Sequence, residues 1–122
     1  MYVTKLTECT PFIAGDGSLL REILHPNKHK VDIRYSLAWA SLAPKQKTKA
    51  HILDHPEVYH VLRGKGQMYI NKEVNEIGAS DTVYIPAGAV QYIENTADEG
   101  LEFLCIVDPA WQPEIERITE VI

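Results

Sequence analysis

His51, His55 and Glu57 crowd one short stretch, Lys49-Ala-His51-Ile-Leu53-Asp-His55-Pro-Glu57-Val-Tyr-His60-Val-Leu-Arg-Gly64-Lys-Gly66. Imidazoles and carboxylates hold divalent ions or pass protons near neutrality. His51, Leu53, His55, Glu57, Tyr59 and Val61 share one parity, so in a strand they would face one side. A straight strand rises roughly 3.3 Å per residue, which would put His51 and Glu57 about 20 Å apart. Bonds to an ion are about 2.0–2.2 Å long, so the two can share a site when the chain reverses between them. Asp54 and Pro56 supply turn chemistry for that reversal. His51 then lies on one strand and Glu57 at the head of its antiparallel neighbour, roughly 5 Å away on one face. His60 has the opposite parity and is assigned no chemistry.

A second stretch, Gly78-Ala-Ser80-Asp-Thr-Val-Tyr-Ile-Pro86-Ala-Gly88-Ala-Val-Gln91-Tyr-Ile-Glu-Asn95, offers Gln91 as a further polar group. His51, Glu57, Gln91 and Tyr59 are the candidate ligand-binding residues, with Glu57 the candidate catalytic one. His51, His55, Glu57 and Gln91 form a candidate metal set of two imidazoles, one carboxylate and one amide, suited to a borderline divalent ion. For His55 alone, a solvated turn beside Pro56 is the competing reading. The glycines of Gly64-Lys65-Gly66 lie between strands with no helix to receive an anion, so they are turn glycines. Lys45, Lys47 and Lys49 share the parity of His51 but read as a solvated strand edge. His25 and His29, separated by Pro26 in a loop, are expected to be solvated. Cys9 and Cys105 are expected to be buried, reduced thiols, and neither they nor Ser41 and Ser80 sit in an activating setting.

Turn residues punctuate the chain at strand-sized intervals, among them Ala14-Gly15-Asp16-Gly17, His25-Pro26-Asn27 and Pro86-Ala87-Gly88. Val31 to Leu42 alternates, with Val31, Ile33, Tyr35, Leu37 and Trp39 on one parity, and is expected to be a half-buried strand on that side. Segments 58–62, 68–70, 82–85, 90–93 and 103–107 are rich in β-branched and aromatic residues and read as five more strands; 18–24 reads as another. Short strands at this spacing predict a sandwich or barrel. Pro113 at a first helical position, followed by Ile115, Ile118 and Ile122, predicts a short C-terminal helix over 113–122. The 122 residues are 45% hydrophobic and 24% charged, enough for one domain over 1–122 with its own core. A net charge of −5 argues against nucleic acid or anionic membranes as partners. The apolar runs are too short to span a bilayer and no signal segment opens the chain, so a cytoplasmic location is expected.

The two motif stretches resemble the paired motifs of the cupin superfamily, small antiparallel jelly-roll barrels. His51, Glu57 and Gly64 match the first motif, with Leu53 where a second histidine stands. Pro86, Gly88 and Asn95 match the second, with Ser80 in place of its glycine and Gln91 in place of its histidine. The resemblance covers about Val31 to Val107. It implies an all-β jelly roll of two packed antiparallel sheets and one divalent ion, zinc, manganese, iron and nickel being indistinguishable here. It also implies a homodimer joined through N-terminal strands. The departures at Leu53 and Gln91 favour a small-molecule-binding barrel taking a sugar or small organic acid. The alternatives are a metal-dependent isomerase, epimerase or dioxygenase, and a protein-interaction partner with a vestigial pocket.

Overall fold

The computed structural model describes residues 1–120. Its chain order is β1 (Phe12–Ile13), β2 (Leu19–Leu24), β3 (Ser36–Leu42), β4 (His51–Leu53), β5 (Glu57–Arg63) and β6 (Lys65–Ile70). There follow β7 (Glu73–Gly78), β8 (Thr82–Ile85), β9 (Val90–Asn95), β10 (Leu101–Val107) and β11 (Glu116–Ile118). The strands form a six-stranded sheet ordered β1-β2-β3-β10-β5-β8 and a five-stranded sheet ordered β11-β4-β9-β6-β7. These strands pair antiparallel throughout. Alternate residues of β10 are buried along its whole length, as are those of β9. Facing side chains of this kind make the core: Leu42, Val61, Met68, Ile85, Ile93, Leu101 and Phe103 pack between the sheets. Burying a side chain of this size contributes about 1.5–3 kcal/mol, which is what holds the sheets face to face.

Two expectations are corrected. Residues 31–35 are not strand, and within β3 the buried residues are Ser36, Ala40 and Leu42, on the parity opposite to Leu37 and Trp39. The large side chains have partners outside: Trp39 donates its indole N–H to Glu102 at 3.2 Å, and the Arg21 guanidinium lies 5.7 Å from its ring. Small residues face inward, where Ser36 and Ala38 leave space for a cavity. The C-terminal helix is the second correction. Pro113–Ile115 forms a single 3-10 turn, and Glu116–Ile118 pairs antiparallel with β4, Glu116 opposite Leu53 and Ile118 opposite His51. Strand β4 needs a second hydrogen-bonding neighbour beyond β9, and that pairing outweighs the weak propensity of a short helix. Ile115 enters a satellite core with Leu53, Val107 and Trp111, while Ile122 lies outside the described residues.

Candidate functional site

The reversal expected between His51 and Glu57 is present, because β4 ends at Leu53 and β5 begins at Glu57. The expected pairing of the two strands as antiparallel neighbours is corrected, since β4 pairs with β9 and β11 and β5 with β10 and β8, so the two enter different sheets. His51 sits opposite Gln91 on β9, and Glu57 stands on β5 in the facing sheet. From β9, Gln91 reaches the facing sheet: its Nε2 donates to Glu57 Oε1 at 3.0 Å, and its Oε1 accepts from the Tyr59 hydroxyl at 3.1 Å. All four side chains are buried, Gln91 to 1% exposure and Glu57 to 6%. His51, Glu57 and Tyr59 line a cavity of about 170 Å³ between the sheets. Phe12, Trp111 and Phe103 add apolar wall, and the half-exposed Phe12 marks its opening to solvent. A larger hollow of about 340 Å³ lies between the edge strands β7 and β8, with no histidine in its lining.

Sequence reasoning missed the acidic end of this cavity. Asp16 and Glu116 both line it, one from the turn before β2 and the other from β11. Ser18 donates its backbone N–H and its hydroxyl to Asp16 Oδ1, at 3.0 and 2.7 Å, which turns Oδ2 toward His51 Nε2 at 3.8 Å. Trp111 donates to Glu116 Oε1 at 3.3 Å. Gly15 permits this approach, since a Cβ there would stand 2.9 Å from Glu116 Oε2. The turn chemistry around Asp16 was visible in the sequence, but the approach of Asp16 to His51 and of Gly15 to Glu116 is long-range. Glu22 also lines the cavity, paired with Lys28 at 2.7 Å.

Burial dominates the electrostatics. It pushes the Glu57 carboxyl from 4.5 up to about 8; the Gln91 hydrogen bond opposes this, and the Asp16 and Glu116 charges add to it. At neutral pH Glu57 is therefore chiefly a neutral acid, its Oε1 accepting from Gln91 and its second oxygen available as a donor. Burial likewise holds the Tyr59 phenol well above its usual value, reinforced by the charge of Glu57. Burial raises Glu116 as well, against the attraction of His51. With Glu57 neutral and Glu22 offset by Lys28, which lines the cavity beside it, the Asp16 and Glu116 charges near His51 are left to repel a carboxylate ligand unless a cation accompanies it.

The candidate metal set does not assemble as its spacing suggested. His55 bonds through Nδ1 to the Pro109 carbonyl oxygen at 2.7 Å and is not part of the cavity wall. That short contact holds it in the turn, where the surface reading placed it. Leu53 fills a ligand position with hydrocarbon in the satellite core. The carbonyl of Gln91 is already used by Tyr59, and its amide N–H cannot bind a cation. Among the described residues no group of three or more His, Cys, Asp or Glu is arranged to hold an ion. The donor set therefore does not fit the divalent ion of the resemblance.

The other histidines and cysteines divide. His60 faces outward and contacts the Thr82 hydroxyl at 2.8 Å. His25, expected in solvent, is 2% exposed, because its Nε2 bonds the Trp111 carbonyl oxygen at 2.7 Å and its Nδ1 accepts from Asn27 N at 3.1 Å. Cys105 is buried on the cavity wall, whereas Cys9 is partly exposed, its segment covering no core.

Comparison with known proteins agrees with this geometry. The chain is 36% identical over 118 residues to the uncharacterised protein MJ1618 of Methanocaldococcus jannaschii, covering 96% of this chain and 94% of that one. It is 30% identical over 89 residues to an oxalate-binding protein of Thermotoga maritima, covering 73% and 69% respectively. In fold it matches the polyketide cyclase RemF of Streptomyces resistomycificus with a TM-score of 0.82 at 17% identity, over 100% of this chain and 87% of that one. The model of the cupin domain matches residues 38–107, the span that carries β3 through β10 and both motif stretches, and the chain accordingly belongs to the cupin family.

Proposed function

We propose that this cupin binds a neutral, hydroxyl- or carbonyl-bearing small molecule of about single-ring size, such as a sugar, in the cavity lined by His51, Glu57 and Tyr59 and backed by Gln91, with no ion required. The observation that carries this reading is the relay from Tyr59 through Gln91 to Glu57. It occupies the polar groups where an ion would otherwise bind and presents a neutral acid to the ligand. The volume, about 170 Å³, slightly exceeds the roughly 150 Å³ that admits a benzene ring in another protein. An acidic lining favours a sugar over an organic acid, and so separates this chain's ligand from that named for its oxalate-binding relative. Thermal unfolding of untagged protein tests it: neutral monosaccharides should raise Tm, and oxalate should not, because a ligand preferring the folded state stabilises it by mass action. No shift with any neutral sugar, or a shift with oxalate alone, overturns the reading.

A second reading, an ion-dependent isomerase, epimerase or dioxygenase, is favoured by His51 and Glu57 sharing one cavity. One equivalent of divalent metal in purified protein, lost in His51→Ala, would establish it in place of the first. We further take the chain to be a cytoplasmic homodimer joined at β1, whose Phe12 and Ile13 are 45% and 68% exposed at the open edge of the six-stranded sheet.

A further inference from the structure

His51 and Glu57 face the cavity from opposite sheets, and a joint role for them rests on the proposed ligand site. His51 Nδ1 lies 2.8 Å from the Lys49 carbonyl oxygen, an atom that accepts and cannot donate, so Nδ1 carries the ring proton. In the neutral ring, Nε2 then presents its lone pair at the acidic end of the cavity. The Asp16 oxygen 3.8 Å from Nε2 is too far to hold it by a hydrogen bond, yet near enough to stabilise a positive charge formed there. Across the cavity, Glu57 Oε1 is fixed by Gln91, which leaves Oε2 to deliver a proton.

We propose that this pair performs ion-free proton transfer, His51 Nε2 removing a proton from a carbon beside a carbonyl group of the ligand while Glu57 Oε2 gives its own proton to the carbonyl oxygen. The C–H bond breaks and its electron pair becomes the new C=C bond. The carbonyl π pair takes the proton from Glu57 and becomes O–H, leaving an imidazolium and a carboxylate. Return of both protons restores the two residues, so the reaction is enolisation and consumes no oxidant or reductant. Burial keeps the Glu57 proton in place up to about pH 8, which supports the donor role. Asp16 acts through His51 as a positioning residue for the charge.

The neutral probe 1,2-benzisoxazole requires the same base and is assisted by the same acid. A base takes the proton from C3, the N–O bond breaks as the nitrile forms, and an acid meets the departing phenoxide oxygen. The wild-type chain should open the ring about 100-fold faster than His51→Ala and about tenfold faster than Glu57→Gln. Asp16→Asn should lower kcat about tenfold and leave KM within about twofold. His51→Gln, which keeps a polar side chain, serves if His51→Ala does not fold. Indazole, close in shape and unreactive, reports binding alone through the shift in Tm. Indazole stabilisation with equal ring opening in the wild type and both His51 variants overturns the proton-transfer inference and leaves the ligand cavity standing. No stabilisation and no ring opening overturns both.

Discussion

Glu57 is the residue through which pH should act on this protein. Its folded-state value of about 8 lies above the ordinary 4.5, so the folded chain keeps a proton that the unfolded chain releases. The stability it contributes is complete below the unfolded value and is lost as pH rises through the folded one. Between pH 5 and pH 8 the unfolding free energy should fall by the order of 3 kcal/mol from this group, a trend that urea titrations would show missing in Glu57→Gln. Parallel pH profiles for the two proteins would remove the buried-acid assignment. Gln91 is the companion case. Gln91→Leu strands the Tyr59 hydroxyl and the Glu57 carboxyl without partners and should cost about 2–3 kcal/mol in the same measurement. The parity of His51, Glu57 and Tyr59 was readable because strand alternation is a local property. Asp16 and Glu116 were not readable, since nothing local ties the turn before β2 to the last strand.

At the scale of elements, the five-stranded sheet depends on how closely its strands approach. Gly66 on β6 sits against the Glu94 carbonyl oxygen of β9, so that a Cβ would overlap backbone. Gly66→Ala should therefore cost about 3 kcal/mol or more, read as a lowered urea midpoint. Strand β11 closes the acidic end, with Ile115 as its anchor beside Leu53, Val107 and Trp111. Ile115→Ala should cost about 2–4 kcal/mol and free Glu116 to turn to solvent, which would also weaken any stabilisation by neutral sugars. The central strands were legible from β-branched and aromatic runs, and each expected segment from 58 to 107 appears. The C-terminal end was misread for one reason: isoleucines at three- and four-residue steps suit a helix or an edge strand, and the unpaired edge of β4 decided between them.

For the whole molecule, exposed Phe12 and Ile13 at the edge of β1, with Tyr2 and Val3 also exposed, are the surface on which the homodimer proposal stands. Ile13→Lys should shift the sedimentation coefficient from dimer to monomer without lowering Tm by much, given that Ile13 is 68% exposed. A wild type that sediments as a monomer rejects the proposal. By itself the sequence determined the all-β class and the reversal at 54–56, since alternation, turn residues and motif spacing act over a few neighbouring positions. It also placed the imidazole and carboxylate on consecutive strands. The tertiary structure decided which face of β3 looks inward, that His55 bonds Pro109 instead of joining the cavity, and that Asp16 and Glu116 meet His51. Those outcomes follow from packing between segments distant in the chain, where burial and hydrogen-bond satisfaction outweigh local preference.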